Sequence, residues 1–440
     1  MRNPMIDKAS DVLQRGLEKA KSQGASAAKL GFRQSESIAA SFENARLKKA
    51  DTQQGLSVNV DVVVGRKRGS TSCTALGDVD EMVDRALALA AAGAAAHFDA
   101  YPPPAPTTEV NTYSARTAAL KRQRMIEGEQ TIVDALKGYN PDLYIEAGAS
   151  RRETATLLVT SGGVVHRSAA TGWSLNAWAQ RTEGTDMLFT GFGRGWRDLN
   201  EYYDPNLIIE HMLEDLRNAE KIVPAPSGKT VALLSPEMLG MFLWAVQMGI
   251  NGRNVAKGDS PLRGRVGEQV LDPCLTVVDD PHLNYSNGAA DMSADGIPTR
   301  RTTLFDRGVL KTFLYDLDTA GLAGAEPTGH SGCSPYSPEV GPGERTHAEL
   351  LKSIDDGIYI KQLMGFGQSN IINGDFSSNV ALGFRIRGGE IAGRVKNTMV
   401  AGNVYELLRS GVRLSSDPDP IQRTPYAVIE GLSVSAAPGK

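Results

Sequence analysis

Two short stretches bring reactive side chains close together. In His330-Ser331-Gly332-Cys333 an imidazole and a thiol lie three residues apart, the pair a cysteine nucleophile needs. Such a nucleophile also requires a histidine oriented in space and an oxyanion hole. A Gly/Pro/Ser-rich loop supplies neither, so no catalytic role is assigned to this pair. Asp291-Met292-Ser293-Ala294-Asp295-Gly296 resembles the start of a calcium loop. The twelfth position, where that loop needs an acid, is Thr302, so the stretch reads as a polar turn. Asp279 and Asp280 are adjacent. Neighbours in a strand point to opposite faces, so they read as a strand end rather than a proton-sharing pair. The histidines His97, His166, His211, His282, His330 and His347 are scattered. No two lie within five positions, and His211 sits in a helical stretch as a surface or core residue. No catalytic residue and no metal-ligand set is assigned in this chain.

The elements that must hold these groups are set by periodicity. Residues 5–22 place Ile6, Val12, Leu13, Leu17 and Ala20 at helical spacing. Ser37–Phe42 and Leu56–Val64 read as strands. Asp78 caps an alanine-rich helix over Val79–Ala95 that is expected to pack closely. His97–Thr108 is a proline-rich loop, and Ser114–Leu136 a long helix. Strands are expected at Leu143–Ser150, Thr154–Thr160, Val164–Ser168 and Gly172–Gln180, with a tight hairpin at Ser161-Gly162-Gly163. Pro205–Lys221 is helical. The Pro/Gly stretch Val223–Gly228 marks a boundary. Beyond it come a strand at Thr230–Leu234, a hairpin at Arg307-Gly308 and a long loop over Ala325–Pro342. The expected fold class is α+β: an N-terminal α/β-type domain over residues 1–222, then a β-rich C-terminal domain over residues 229–440.

Within the second domain, residues 236–250 read as a helix. Ser235 is its N-cap, Pro236 its first position, and Glu237 an acid in its first turn. Met238, Met241, Phe242, Ala245, Val246 and Met248-Gly249 form a broad apolar face, as in any buried helix. The segments after this helix are more specific. Lys257-Gly258, Gly264-Arg265-Val266-Gly267-Glu268, Val277-Val278-Asp279-Asp280 and Asp295-Gly296-Ile297-Pro298-Thr299-Arg300-Arg301-Thr302 occur in an order that resembles the TldD/PmbA peptidase family. Leu363-Met364-Gly365-Phe366-Gly367, Asn373-Gly374-Asp375-Phe376-Ser377, Gly383-Phe384, Gly389-Glu390-Ile391 and Ala401-Gly402-Asn403 look like its PmbA (TldE) branch. The resemblance covers the C-terminal half closely and the N-terminal half loosely.

In that family the zinc helix carries His-Glu-x-x-x-His followed by Gly. Here Leu243, Trp244 and Met248 stand at those three positions, and Gly249 still comes next. Zinc is held by imidazole, thiolate or carboxylate, and its water needs a general base. Leucine and tryptophan offer no such donor, and a thioether is a poor one. Ligands five residues apart also lie about 140° apart on a regular helix, so a working site needs a distorted one. The C-terminal Cys that completes the family's site has no counterpart, the last Cys being Cys333.

The resemblance therefore implies a β-rich C-terminal domain of the TldD/PmbA type that binds no metal itself, with zinc expected in a TldD-like partner. It implies a non-catalytic subunit of a metallopeptidase complex acting on small or unfolded peptides, paired with that partner or with a second copy as a dimer. The loop Ala325–Pro342 would then supply a cavity rim through His330, Cys333 and Tyr336, and would tolerate deletion of its tip. Two other readings stay open: a self-sufficient hydrolase using a nucleophile such as Cys333, and a homodimeric scaffold.

Composition narrows the classes. The chain has 440 residues, 41% hydrophobic and 22% charged, with net charge −4. That is the balance of a globular protein with room for two or three domains. No basic field favours nucleic acid. Arg66-Lys67-Arg68 reads as a solvated turn, and the tryptophans show no aromatic–basic interleaving. Three widely spaced cysteines, Cys73, Cys274 and Cys333, give no disulfide framework, which fits a reducing cytoplasm. Residues 1–8 lack the apolar stretch of a signal peptide, and no run is long enough to span a bilayer.

Overall fold

The computed structural model describes residues 4–368 and 370–436. Met1–Asn3, part of the N-terminal stretch that lacks signal-peptide character, lie outside the described residues.

The N-terminal half is built on one six-stranded antiparallel sheet. Its strands are β1 (Ala27–Glu43), β2 (Arg46–Val64), β3 (Lys67–Cys73), β4 (Tyr144–Thr160), β5 (Val165–Glu183) and β6 (Asp186–Trp196), in the order β3-β2-β1-β4-β5-β6. Two-residue loops with positive φ join the first hairpins, Asn44-Ala45 and Gly65-Arg66. Such turns match the right-handed strand twist. Helices α1 (Pro4–Ser22), α2 (Val79–Ala90), α3 (Ala115–Ala118), α4 (Arg122–Tyr139) and α5 (Pro205–Asn218) complete this half. Even-numbered residues of β1 face the helices. Leu30 and Phe32 pack with Leu13 of α1 and Val83 of α2, while Phe42 packs with Ile132 of α4 and Met212 of α5. The alanine-rich α2 lies hard against β3: a Cβ on Gly69 would collide with the Ala86 carbonyl.

The strands run longer than hydrophobic alternation predicts. Four expected segments between residues 143 and 180 are two continuous strands, paired from Tyr144↔Gln180 to Val159↔Val165 across the expected tight hairpin. The pattern breaks at Arg151-Arg152-Glu153, in mid-sheet between the two helix pairs. There Arg151 bonds Glu36 on β1 at 3.3 Å and Glu153 on its own strand, and the backbone ladder continues regardless of side-chain polarity. The single helix expected over Ser114–Leu136 is two. Ser114 caps α3 through the Thr117 amide, and the chain turns at the buried Leu120 before α4 begins.

The C-terminal half adds β7 (Gly228–Leu234), α6 (Pro236–Ile250), α7 (Gly252–Lys257), β8 (Val277–Asp279), β9 (Thr302–Asp306), β10 (Val309–Leu310), α8 (Leu317–Ala323), β11 (Pro338–Val340) and α9 (His347–Lys352). Then come β12 (Asp356–Met364), β13 (Asp375–Arg387), β14 (Glu390–Arg394), β15 (Thr398–Asn403), α10 (Val404–Leu407), β16 (Arg413–Leu414) and β17 (Ala427–Ala436). The larger sheet runs β12-β7-β17-β15-β13-β14, and a further β12–β13 pairing closes the path. The small sheet runs β10-β9-β8-β11, with the expected hairpin at Arg307-Gly308.

The larger sheet is buried on both faces. Ala232 and Leu234 of β7, Ile358 and Ile360 of β12 and Ile429 of β17 pack with α6. Their neighbours Leu233, Tyr359 and Val428 join the core of α4 and α5. This accounts for the continuous apolar runs in β7 and β17. It also joins the two halves through a shared hydrophobic core. The fold is α+β with a β-rich C-terminal part.

Candidate functional site

Helix α6 forms as its sequence requires. The Ser235 hydroxyl accepts from the Met238 amide, and Pro236 takes the first position. Met238, Leu239, Phe242, Ala245, Val246, Gly249 and Ile250 are buried. Phe242 stacks on Phe366 at 5.3 Å and tilts against Phe376 at 5.2 Å. The Gly-Phe-Gly and Asp-Phe-Ser segments therefore supply the aromatic bed of this helix. Gly249 has a steric reason: a Cβ there would collide with the Tyr405 hydroxyl, which donates to the Ala245 carbonyl at 3.2 Å.

The three positions Leu243, Trp244 and Met248 do not converge. Leu243 is 5% exposed, Trp244 is 41% exposed and lies over Gly367, and Met248 is half-buried. Their side chains offer no donor set for zinc, and the helix is regular through this region. The residues present do not fit the metal that the helix position suggests. Trp244 lies off the expected apolar face and points outward.

Leu243 instead borders a cleft of about 300 Å³. Gly240, Leu243 and Gln247 form one wall from a single face of α6; Tyr336–Val340 and Ile421–Thr424 form others, and Ser286–Gly288 closes an end. Gln247, Gln422 and Arg423 give it polar character. None belongs to a motif, and its walls come from segments far apart in sequence. The only local signal is Gln247, the one polar side chain of α6 beyond its first turn.

Within the loop Ala325–Pro342 the stretch from Tyr336 to Val340 borders the cleft, but His330 and Cys333 are packed inside rather than on a rim. His330 is 1% exposed and Cys333 is fully buried. His330 Nε2 lies 3.0 Å from Asp279 Oδ2, and its Nδ1 lies 2.9 Å from Thr328 Oγ1. Asp279 also accepts the amides of Tyr336 and Ser337. Neither His330 nor Cys333 can line a rim from there; only Tyr336 reaches the cleft. The physical reason is Asp279, a buried anion that draws the loop inward until its charge is hydrogen-bonded. Asp280 turns away and caps the His282 amide, so the two acids share no proton.

The arrangement does not support thiol chemistry. Both ring nitrogens of His330 are occupied. Cys333 accepts from the Asp316 amide at 3.3 Å, and burial pushes its thiol pKa up, away from the thiolate a nucleophile needs. The Thr328–His330–Asp279 relay is buried, and Thr328 is held by the Tyr315 backbone. Asp291 and Asp295 bind side chains of the other half: His166 at 2.9 Å and Lys29 at 3.0 Å. His211 stacks on Phe192, with Lys361 Nζ 3.0 Å from its Nε2. Burial, with help from the Lys361 and Arg194 charges, lowers its pKa to about 2. It is a neutral acceptor in a buried Lys361–Asp215 network.

Placing the family's ligands back on α6 checks this reading. Leu243→His should lower stability by about 1–3 kcal/mol, the cost of an unsatisfied buried polar group. Trp244→Glu should change it by less than about 0.5 kcal/mol, because that side chain is exposed. The triple variant with Met248→His should still hold no zinc, since no neighbouring group would orient the new ligands. Urea denaturation and metal analysis decide; one zinc per chain in the triple variant would show the frame to be intact.

The β-rich half is thus built around a capped, regular helix whose positions 243, 244 and 248 hold Leu, Trp and Met. Residues 227–436 match the PmbA/TldA metallopeptidase C-terminal domain, which places the C-terminal half of the chain in the TldD/PmbA family. It is 30% identical over 277 residues to a metalloprotease of Methanothermobacter thermautotrophicus, covering 60% of this chain and 61% of that protein. It is 28% identical over 223 residues to the metalloprotease PmbA of Escherichia coli O157:H7, covering 48% and 49%. The matches thus span about half to three-fifths of the length of these relatives. In fold it is similar to TldE from Thermococcus kodakarensis, with a TM-score of 0.87 at 20% identity over 97% of this chain and 100% of the other. A putative DNA gyrase modulator from Thermotoga maritima gives 0.88 at 24% identity, covering 97% of this chain and 100% of that one.

Proposed function

We propose that this chain is the PmbA/TldE-like, non-catalytic subunit of a two-component metallopeptidase acting on small or unfolded peptides. It pairs with a TldD-like chain that carries zinc, or with a second copy of itself, and it works in the cytoplasm. The observation that carries this reading is α6, whose positions 243, 244 and 248 hold Leu, Trp and Met on a regular helix. The cleft beside Leu243 would hold part of the peptide. Met364 and Met399, 57% and 43% exposed, flank Asn379 in register on adjacent strands and offer a partner an apolar surface. Among the described residues no helix is long and apolar enough to cross a membrane.

The test is co-expression with candidate chains that carry His-Glu-x-x-x-His, then pull-down, metal analysis and peptide cleavage. The expected result is zinc only in the partner, no cleavage by this chain alone, and cleavage by the pair. Cleavage by the isolated chain, lost in Cys333→Ala while folding is kept, would promote the hydrolase reading. A compact monomer at micromolar concentration that captures no partner would overturn the assembly.

A further inference from the structure

A second site lies away from α6, where the open face of the first sheet meets the loop over residues 289–295. Two adjoining cavities of about 260 and 480 Å³ share Lys29, Asp61 and Ala294, so they form one groove. The groove carries opposite charge at its two ends.

At one end stand Asp61, Asp316, Asp318 and Asp295. Lys29 pairs with Asp295 at 3.0 Å, and Arg68 with Asp318 at 3.2 Å. Arg253 reaches Asp316 at 3.6 Å. Among the described residues Asp61 has only the Ser70 hydroxyl, at 2.6 Å, and no cation. Tyr101 lines the same end, 6% exposed, and its hydroxyl makes no hydrogen bond among the described residues. The ring is buried while the hydroxyl opens into the groove, where it is free to bond a ligand. At the other end Arg33 and Arg197 line the groove. Arg197 donates to the Asn287 carbonyl at 2.8 Å, and neither guanidinium has a carboxylate partner among the described residues. In register with Arg33 across the sheet, Thr156 and Ser168 bond each other across β4 and β5 at 2.6 Å.

The geometry points to a binding site for a free short peptide in zwitterionic form. Its terminal ammonium would sit between Asp61 and the Tyr101 hydroxyl. Its terminal carboxylate would sit at Arg33 and Arg197, where the guanidinium fork suits a carboxylate. Asp61 on β2 stands opposite Lys29 of β1, four residues along the strand from Arg33, so the two ends are one strand spacing across and four residues along, about 14 Å apart. That is the length of about four extended residues. The site differs from the α6 cleft in place and chemistry, and it does not depend on a metallopeptidase partner.

Calorimetry on the full chain tests it, with tetra-alanine as the probe against its N-acetylated and C-amidated forms. The free peptide should bind, and each block should weaken binding by about tenfold, the loss of one charge-assisted contact. Asp61→Asn should erase the penalty for acetylation alone, and Arg197→Gln the penalty for amidation alone. Arg33→Ala, at an exposed side chain without an acidic partner, should weaken the free peptide without altering the melting temperature. A doubly blocked Lys-Ala-Ala-Glu peptide separates chain termini from charged side chains, and should not bind. Equal binding of blocked and free peptides overturns the proposal. So does capture of only the doubly blocked peptide, or no heat with tetra-alanine at millimolar concentration.

Discussion

Asp279→Ala is expected to cost at least about 3 kcal/mol of stability, because three buried donors lose their acceptor at about 1–3 kcal/mol each. Asp279 is fully buried and His330 is 1% exposed. The carboxylate accepts from His330 and from the amides of Tyr336 and Ser337. Truncation strands all three groups away from water. Asp279→Asn keeps an acceptor oxygen and should lose less. Removing residues Ser331–Pro338 should be as damaging as the alanine variant, since it takes out the amides that satisfy Asp279 and the buried Cys333. Urea denaturation monitored by circular dichroism measures both. A loss below about 1 kcal/mol in Asp279→Ala would mean that the loop is a surface flap after all.

That loop shows where reading from sequence stops. Its Gly, Pro and Ser content marks it as irregular, and irregular backbone usually lies on the surface. Nothing local announces that an acid about fifty residues upstream draws it inside. The buried frame of α6 is legible because capping residues and helical periodicity are local signals. Leu243 is not: it falls outside the apolar stripe, yet it is buried beside the cleft. The long strands are underestimated for a related reason. Alternation reports burial, and β4 and β5 cross from one helix pair to the other over a polar middle. The cleft beside Leu243 is beyond reach, because its walls meet only through the small sheet and the turn after Asp419.

Glu129 is a buried acid whose place is legible in helical spacing. In α4 it lies four residues after Met125 and three before Ile132, in the stripe that packs on the first sheet. Helical spacing alone puts its carboxyl in the core. It is fully buried, and neither oxygen has a hydrogen-bond partner. The nearby Tyr203 hydroxyl is equally unpartnered. Burial pushes the Glu129 pKa up to about 8; the Ala149 amide lies on the side that lowers it but falls short of a hydrogen bond to either oxygen. Burial disfavours the charged form, so the folded state holds this proton more tightly than the unfolded chain, which releases it near pH 4.5. Its contribution is therefore fully present below about pH 4.5 and is lost as pH rises toward 8. The slope is at most about 1.4 kcal/mol per pH unit, the value for one proton. Glu129→Gln keeps the shape of the neutral acid and removes the titration. Wild type and variant should melt together at pH 4.5, and the variant should melt higher at pH 8. Parallel melting curves across that range would show that Glu129 ionises freely in the fold, through water reaching it beneath α4.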